Sequence, residues 1–168
     1  MKIRLRKTEI EDRNKRYKIL GQINEILLDK NIMMGPRISR TEKKFSNYFK
    51  SNYSLLTGSG SDSIYLSLMC LNLKPGDEII TTPLSWVTSA TPILMLNLKP
   101  VFVDVDLNLN IDPEQIQKKK TKKTKAILLV HFTGRSCDMD KIQNITKKYG
   151  LYLIEDCSQA FGSKYKNK

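Results

Sequence analysis

Residues 151–163 read LYLIEDCSQAFGS, an apolar run that delivers Glu155, Asp156 and Gln159 to its polar end. Such a run, bounded by polar residues, predicts a buried strand of a parallel sheet, and ligand chemistry in open α/β sheets gathers outside the carboxyl ends of these strands. A carboxylate fixed there can serve as the anion beside a cationic heterocycle. It keeps a ring nitrogen protonated, so that the ring can accept the electrons of a carbanion. Gln159 follows closely enough to share the site and donate an amide hydrogen to a ring oxygen. Taken alone, Glu155 and Asp156 equally suit a solvated strand end or a helix cap.

A second candidate is the turn TGSGSDS at residues 57–63. Between a strand and a helix, small residues let an anion approach backbone N–H groups at the positive end of the helix dipole, and Ser61 could add a hydroxyl. Gly58, Gly60 and Ser63 also stand at dinucleotide-fingerprint spacing. That motif wants a carboxylate closing the second strand, whereas here Asp77 and Glu78 open it and Thr81 and Thr82 close it. A ligand-free turn with a Ser or Asp N-cap is the plainer alternative. Trp86 falls just past the 78–82 strand at the same sheet edge, where an aromatic can stack on a flat ring or simply pack in a core. His131 is the sole histidine, and with no second ligand at metal spacing it reads as a hydrogen-bonded structural residue.

The elements that must position these residues follow from periodicity. Residues 17–29 predict an amphipathic helix through Ile19, Ile23, Ile26 and Leu27, and residues 38–50 a second one after the break at Gly35 and Pro36. An apolar stretch at 53–56 predicts a strand leading into the glycine turn. Beyond it the pattern alternates: helix 62–73, strand 78–81, helix 85–96, strand 100–105, a helix capped by Asp112 with Pro113 at its first position, strand 126–131, a helix from Asp138 to Tyr149 stopped by Gly150, and strand 151–154. Strands separated by helices imply βαβ crossovers and a largely parallel sheet covered on both faces, an α/β fold of three layers.

Composition narrows the classes. With 168 residues, 40% hydrophobic and 27% charged, the chain can bury a proper core. No run approaches a membrane span, and the charged start MKIRLRKTEIEDRNK lacks the apolar core of a signal peptide, so a cytoplasmic location with no membrane partner is expected. Cys70, Cys137 and Cys157 lack zinc or disulfide-framework spacing and read as reduced thiols. The net charge of +12 would suit nucleic acid. Apart from KKKTKKTK at 118–125, however, the basic residues are scattered, and that run reads as a solvated helix end; no nucleic-acid partner is expected.

Taken together, the segments resemble the DegT/StrS group of pyridoxal phosphate-dependent sugar-nucleotide aminotransferases, with the aspartate aminotransferase type of fold. The resemblance runs in order through SGSDSIYLSL (59–68), KPGDEIITTPLSWVTSA (74–90), KPVFVDVD (99–106), NIDPEQI (110–116), TKAILLVHFTG (124–134), DMDKI (138–142) and YGLYLIEDCSQAFGSKYKNK (149–168). It implies a helical segment at 1–50 and the first part of the cofactor-binding large domain at 51–168. It further implies that pyridoxal 5'-phosphate has its phosphate held by Gly60, Ser61 and Asp62, its ring stacked on Trp86, its ring nitrogen paired with Asp156 and its phenolic oxygen contacted by Gln159. Ser61 stands where the family usually has Thr, which keeps the hydroxyl. A nucleotide-linked keto sugar, an amino donor such as glutamate, a role in cell-surface polysaccharide synthesis and a homodimer are implied as well. The lysine that forms the Schiff base is expected beyond Lys168, since Lys164 and Lys166 belong to a surface turn of the last block; the 168 residues alone are therefore expected to be inactive. A dehydratase of the same family, in which His replaces that lysine, and a non-catalytic fragment are the alternatives.

Overall fold

The computed structural model describes residues 10–29 and 35–167, and the chain divides into two compact units, Met1–Leu56 and Thr57–Lys168. In the first unit, helix α1 spans Arg13–Leu28 and is capped by Asp12, whose carboxylate accepts from the Asn14 and Lys15 amides. It begins earlier than periodicity suggested because that cap satisfies the free N–H groups of its first turn. None of its residues is buried. Helix α2, Pro36–Phe49, starts on a proline and ends at Lys50 in the left-handed region.

The strand expected at 53–56 is absent. Tyr53 is 90% exposed, and the Leu56 N–H donates to Glu42 Oε1 at 3.0 Å. An apolar stretch becomes a strand only where another strand receives its backbone groups, and here one of those groups is taken by a side chain.

In the second unit, four strands form one sheet: β1 Glu78–Thr81, β2 Lys99–Phe102, β3 Thr124–Val130 and β4 Tyr152–Asp156. The order is β2-β1-β3-β4 and every pairing is parallel. Side chains alternate between two covered faces, as the two-residue period of a strand requires. Ile79, Ala126 and Leu128 pack with Ile64 and Leu68 of α3 (Gly60–Met69) and Ile93 of α4 (Thr91–Met95). Ile80, Ile127 and Leu129 pack on the other face with Ile116 of α5 (Pro113–Lys119) and Ile142 and Ile145 of α6 (Met139–Tyr149). This is the three-layer α/β arrangement expected.

The helix expected over 85–96 is interrupted. A 3-10 turn at Val87–Ser89 precedes the short α4, because Pro92 has no N–H to donate and its ring obstructs a continuous preceding turn. The caps of α5 and α6 are those read from the sequence: Asp112 accepts from the Glu114 amide, Asp138 accepts from the Lys141 amide, and Gly150 closes α6 with φ 62°. At the amino-terminal edge of the sheet, Glu78 is buried. The Thr121 hydroxyl that donates to it, aided by Lys99 and Thr124, holds its carboxyl below the usual range against the opposing effect of burial. Among the described residues, no helix is long and apolar enough to cross a membrane.

Candidate cofactor site

The chain passes from β1 outward to β2 and then returns to the other side of β1 for β3. That reversal makes a switch point at the carboxyl ends of the strands, the place where open α/β sheets bind ligands. Trp86 follows β1, His131 and the turn at Phe132–Gly134 follow β3, and Asp156 ends β4.

Asp156 is fixed on two sides. Its carbonyl accepts from the His131 amide at 3.1 Å, and its Oδ1 accepts from the Ser158 amide at 2.9 Å. The second carboxylate oxygen makes no hydrogen bond among the described residues and remains open to a cationic partner. Gln159 is oriented by the turn after β3: its Oε1 accepts from the Thr133 N–H at 2.9 Å. An N–H can face only the oxygen end of an amide, so the Gln159 Nε2 is left as a donor.

The glycine turn becomes the start of α3. Ser59 is the N-cap; its Oγ accepts from the Asp62 amide at 3.1 Å and donates to Asp62 Oδ2 at 2.9 Å. The Asp62 amide, expected to face a phosphate, is thus engaged in the cap, while the Gly60 and Ser61 amides are first-turn groups without an intrahelical acceptor. A methyl group at residue 60 would sit 3.6 Å from Ser158 Oγ, so the helix start abuts the turn that follows Asp156. Trp86 is 73% exposed, which excludes the packed-core alternative. Its ring lies at the same sheet edge without a bond to the other candidates among the described residues.

His131 is 5% exposed, the hydrogen-bonded residue that the sequence suggested. Its Nδ1 accepts from the Cys137 amide at 3.0 Å, and its Nε2 meets Glu155 Oε2 at 3.0 Å, so the ring proton sits on Nε2. Burial opposes a second ring proton, whereas Cys137, Cys157 and Glu155 favour one; Nδ1 can take it only by releasing the Cys137 amide. Glu155 is therefore a partner of His131. The three cysteines are free thiols.

The Ser N-cap offered as the plainer alternative for the glycine turn is Ser59, whereas sequence reasoning missed Thr133 and Ser158, which act through turn bonds. Thr133-Gly134 carried a turn signal, but nothing linear pointed it at Gln159. The residues present fit a phosphorylated aromatic cofactor: two first-turn amides for the phosphate, an exposed indole for the ring, and a carboxylate oxygen and an amide donor for its polar edge.

Fold and topology thus define a three-layer α/β protein with an open parallel sheet and a switch point between β1 and β3. The chain belongs to the DegT/DnrJ/EryC1/StrS aminotransferase family, whose model matches residues 14–168. It is 38% identical over 135 residues to GDP-perosamine synthase of Escherichia coli O157:H7, covering 80% of this chain and 37% of the relative. Among solved structures it is similar to NtdA of Bacillus subtilis with bound cofactor PMP (34% identity, TM-score 0.86, 90% of this chain, 35% of that one). It is likewise similar to the Escherichia coli GDP-4-keto-6-deoxy-D-mannose-3-dehydratase with bound hydrated PLP (32%, TM-score 0.83, 96% and 42%). The chain spans about two-fifths of the length of the first curated relatives it matches. The family depends on pyridoxal phosphate, and solved relatives hold it or its amine form.

Proposed function

We propose that this chain forms the cofactor-holding part of a pyridoxal phosphate-dependent aminotransferase that moves an amino group, from glutamate, to the keto sugar of a nucleotide sugar for cell-surface polysaccharide. The observation that carries the reading is the convergence at one sheet edge of an anchored Asp156, an oriented Gln159 and the α3 amino terminus beside Ser158. When bound, pyridoxal phosphate supplies the electron sink for amino transfer. Asp156 keeps a ring nitrogen protonated, Gln159 donates to the phenolic oxygen, Trp86 covers the ring, and the Gly60 and Ser61 amides with the Ser61 hydroxyl take the phosphate.

For the 168 residues alone we expect no turnover. Lys166 is engaged by Asp140 at the start of α6, and Lys164 lies on the same exposed terminal turn; neither stands beside Asp156 and Gln159 in sequence or in a bond. A homodimer in the cytoplasm completes the reading. The second reading, a dehydratase, is supported by the likeness to the Escherichia coli enzyme named above. The two differ in a residue that lies outside the matched blocks.

The reading is tested by amide NMR during titration with pyridoxal phosphate. Shifts are expected at Gly60, Ser61, the Trp86 indole and the Gln159 side-chain amide, moving together along one binding curve. Shifts confined to the 118–125 lysine run would reject the site.

A further inference from the structure

Asn110 lies in the connection between β2 and α5, is 2% exposed, and has no place in the candidate cofactor contacts. Its own position is pinned: its carbonyl accepts from the Asp106 amide at 2.8 Å and its N–H donates to Asp106 Oδ1 at 3.2 Å. Its side chain then spends both ends on the turn after β3. Oδ1 accepts from the Phe132 N–H at 2.9 Å, and Nδ2 donates to the Arg135 carbonyl at 3.1 Å.

Between those two anchor points the backbone is unusual. Thr133 has φ 54° and Gly134 has φ 82°, and a left-handed conformation is disfavoured for a β-branched residue. The strained turn aims the Thr133 N–H at Gln159 Oε1.

Building on the cofactor reading above, we infer that Asn110 is a positioning residue: by clamping the 132–135 turn it fixes which end of the Gln159 amide faces the ligand. Without the clamp Thr133 relaxes toward negative φ and its N–H leaves Gln159. The amide is then free to turn its oxygen toward a phenolic oxygen, where two acceptors repel.

The test compares two ligands, pyridoxal phosphate and its 3-deoxy analogue, which lacks the phenolic oxygen. Binding to the full chain is read by quenching of Trp86, the single tryptophan. A hydrogen bond to a charged oxygen is worth about tenfold in affinity, so the wild-type chain is expected to prefer pyridoxal phosphate by about that factor. Asn110→Ala and Gln159→Ala should each bring the ratio near unity, and the double variant should lower it no further. Asn110→Asp, which keeps the acceptor for Phe132 and loses the donor to Arg135, serves if the alanine variant does not fold. In the free chain, Asn110→Ala should also speed hydrogen exchange of the Thr133 amide by about tenfold or more. A variant that weakens both ligands alike and keeps the wild-type ratio overturns the inference and leaves the cofactor reading standing. A folded wild-type chain that responds to neither ligand removes both.

Discussion

Gly60 lies against Ser158, with room for one methyl group and little more: a Cβ at residue 60 would rest 3.6 Å from Ser158 Oγ. The contact joins the first turn of α3 to the segment leaving β4, so the two halves of the proposed site meet across it. Ordinary van der Waals distance means that the fold does not need glycine here. The expected need is for empty space next to the Gly60 and Ser61 amides. Gly60→Ala should leave the urea-unfolding free energy nearly unchanged, within about 0.5 kcal/mol plus its helix-propensity effect. It should weaken pyridoxal phosphate binding by about tenfold or more. Unaltered affinity in the folded variant would remove the phosphate from this turn.

Ser59 caps α3 through two bonds with Asp62. Ser59→Ala is expected to cost about 0.5–2 kcal/mol of stability, the usual range for a lost N-cap. Equilibrium urea unfolding measures it, and a neutral result would show that the cap is dispensable.

Glu78 predicts a pH dependence. The Thr121 hydroxyl is the largest of the effects on its carboxyl and lowers its pKa, with Lys99 and Thr124 acting in the same direction against burial. The unfolded chain, with a carboxyl near 4.5, therefore binds its proton more readily than the folded one. The stabilisation is complete above that value and disappears as pH falls through the lower folded value. Glu78→Gln should destabilise the protein at neutral pH and flatten its unfolding free energy on acidification from about pH 6 to about pH 3. A wild-type slope retained in the variant would assign the acid sensitivity to other carboxylates.

Ile127, fully buried in the central strand β3 among Ile80, Ile116 and Ile142, should lose about 2–5 kcal/mol on substitution by alanine. Chemical denaturation of that variant checks whether the α5 and α6 face is packed as tightly as its burial indicates.

The sheet was legible because β1, β3 and β4 are short apolar runs between polar turns, and because Asp112, Pro113, Asp138 and Gly150 announce helix ends by chemistry that acts locally. Pro92 is equally visible, yet the periodicity of 85–96 runs through it, whereas in the structure the helix breaks at Ala90 and restarts with Pro92 in its first turn. The apolar residues at 53–56 imitated a strand because hydrophobicity says nothing of a pairing partner. Asp156, Gln159 and Trp86 could be singled out by their places after strands. The clamp from Asn110 through Thr133 to Gln159 could not, since it depends on which loops the β2-β1-β3-β4 order sets side by side.

The proposed role of Asp156, holding a protonated ring nitrogen within a pyridoxal phosphate site, is tested most directly by titration of Trp86 fluorescence with pyridoxal phosphate. The wild-type chain should show saturable quenching, and Asp156→Ala should bind about tenfold or more weakly, the cost of a lost charge-assisted hydrogen bond. Equal affinity in the two folded proteins, or no saturable quenching in the wild type, would rule out that role for Asp156.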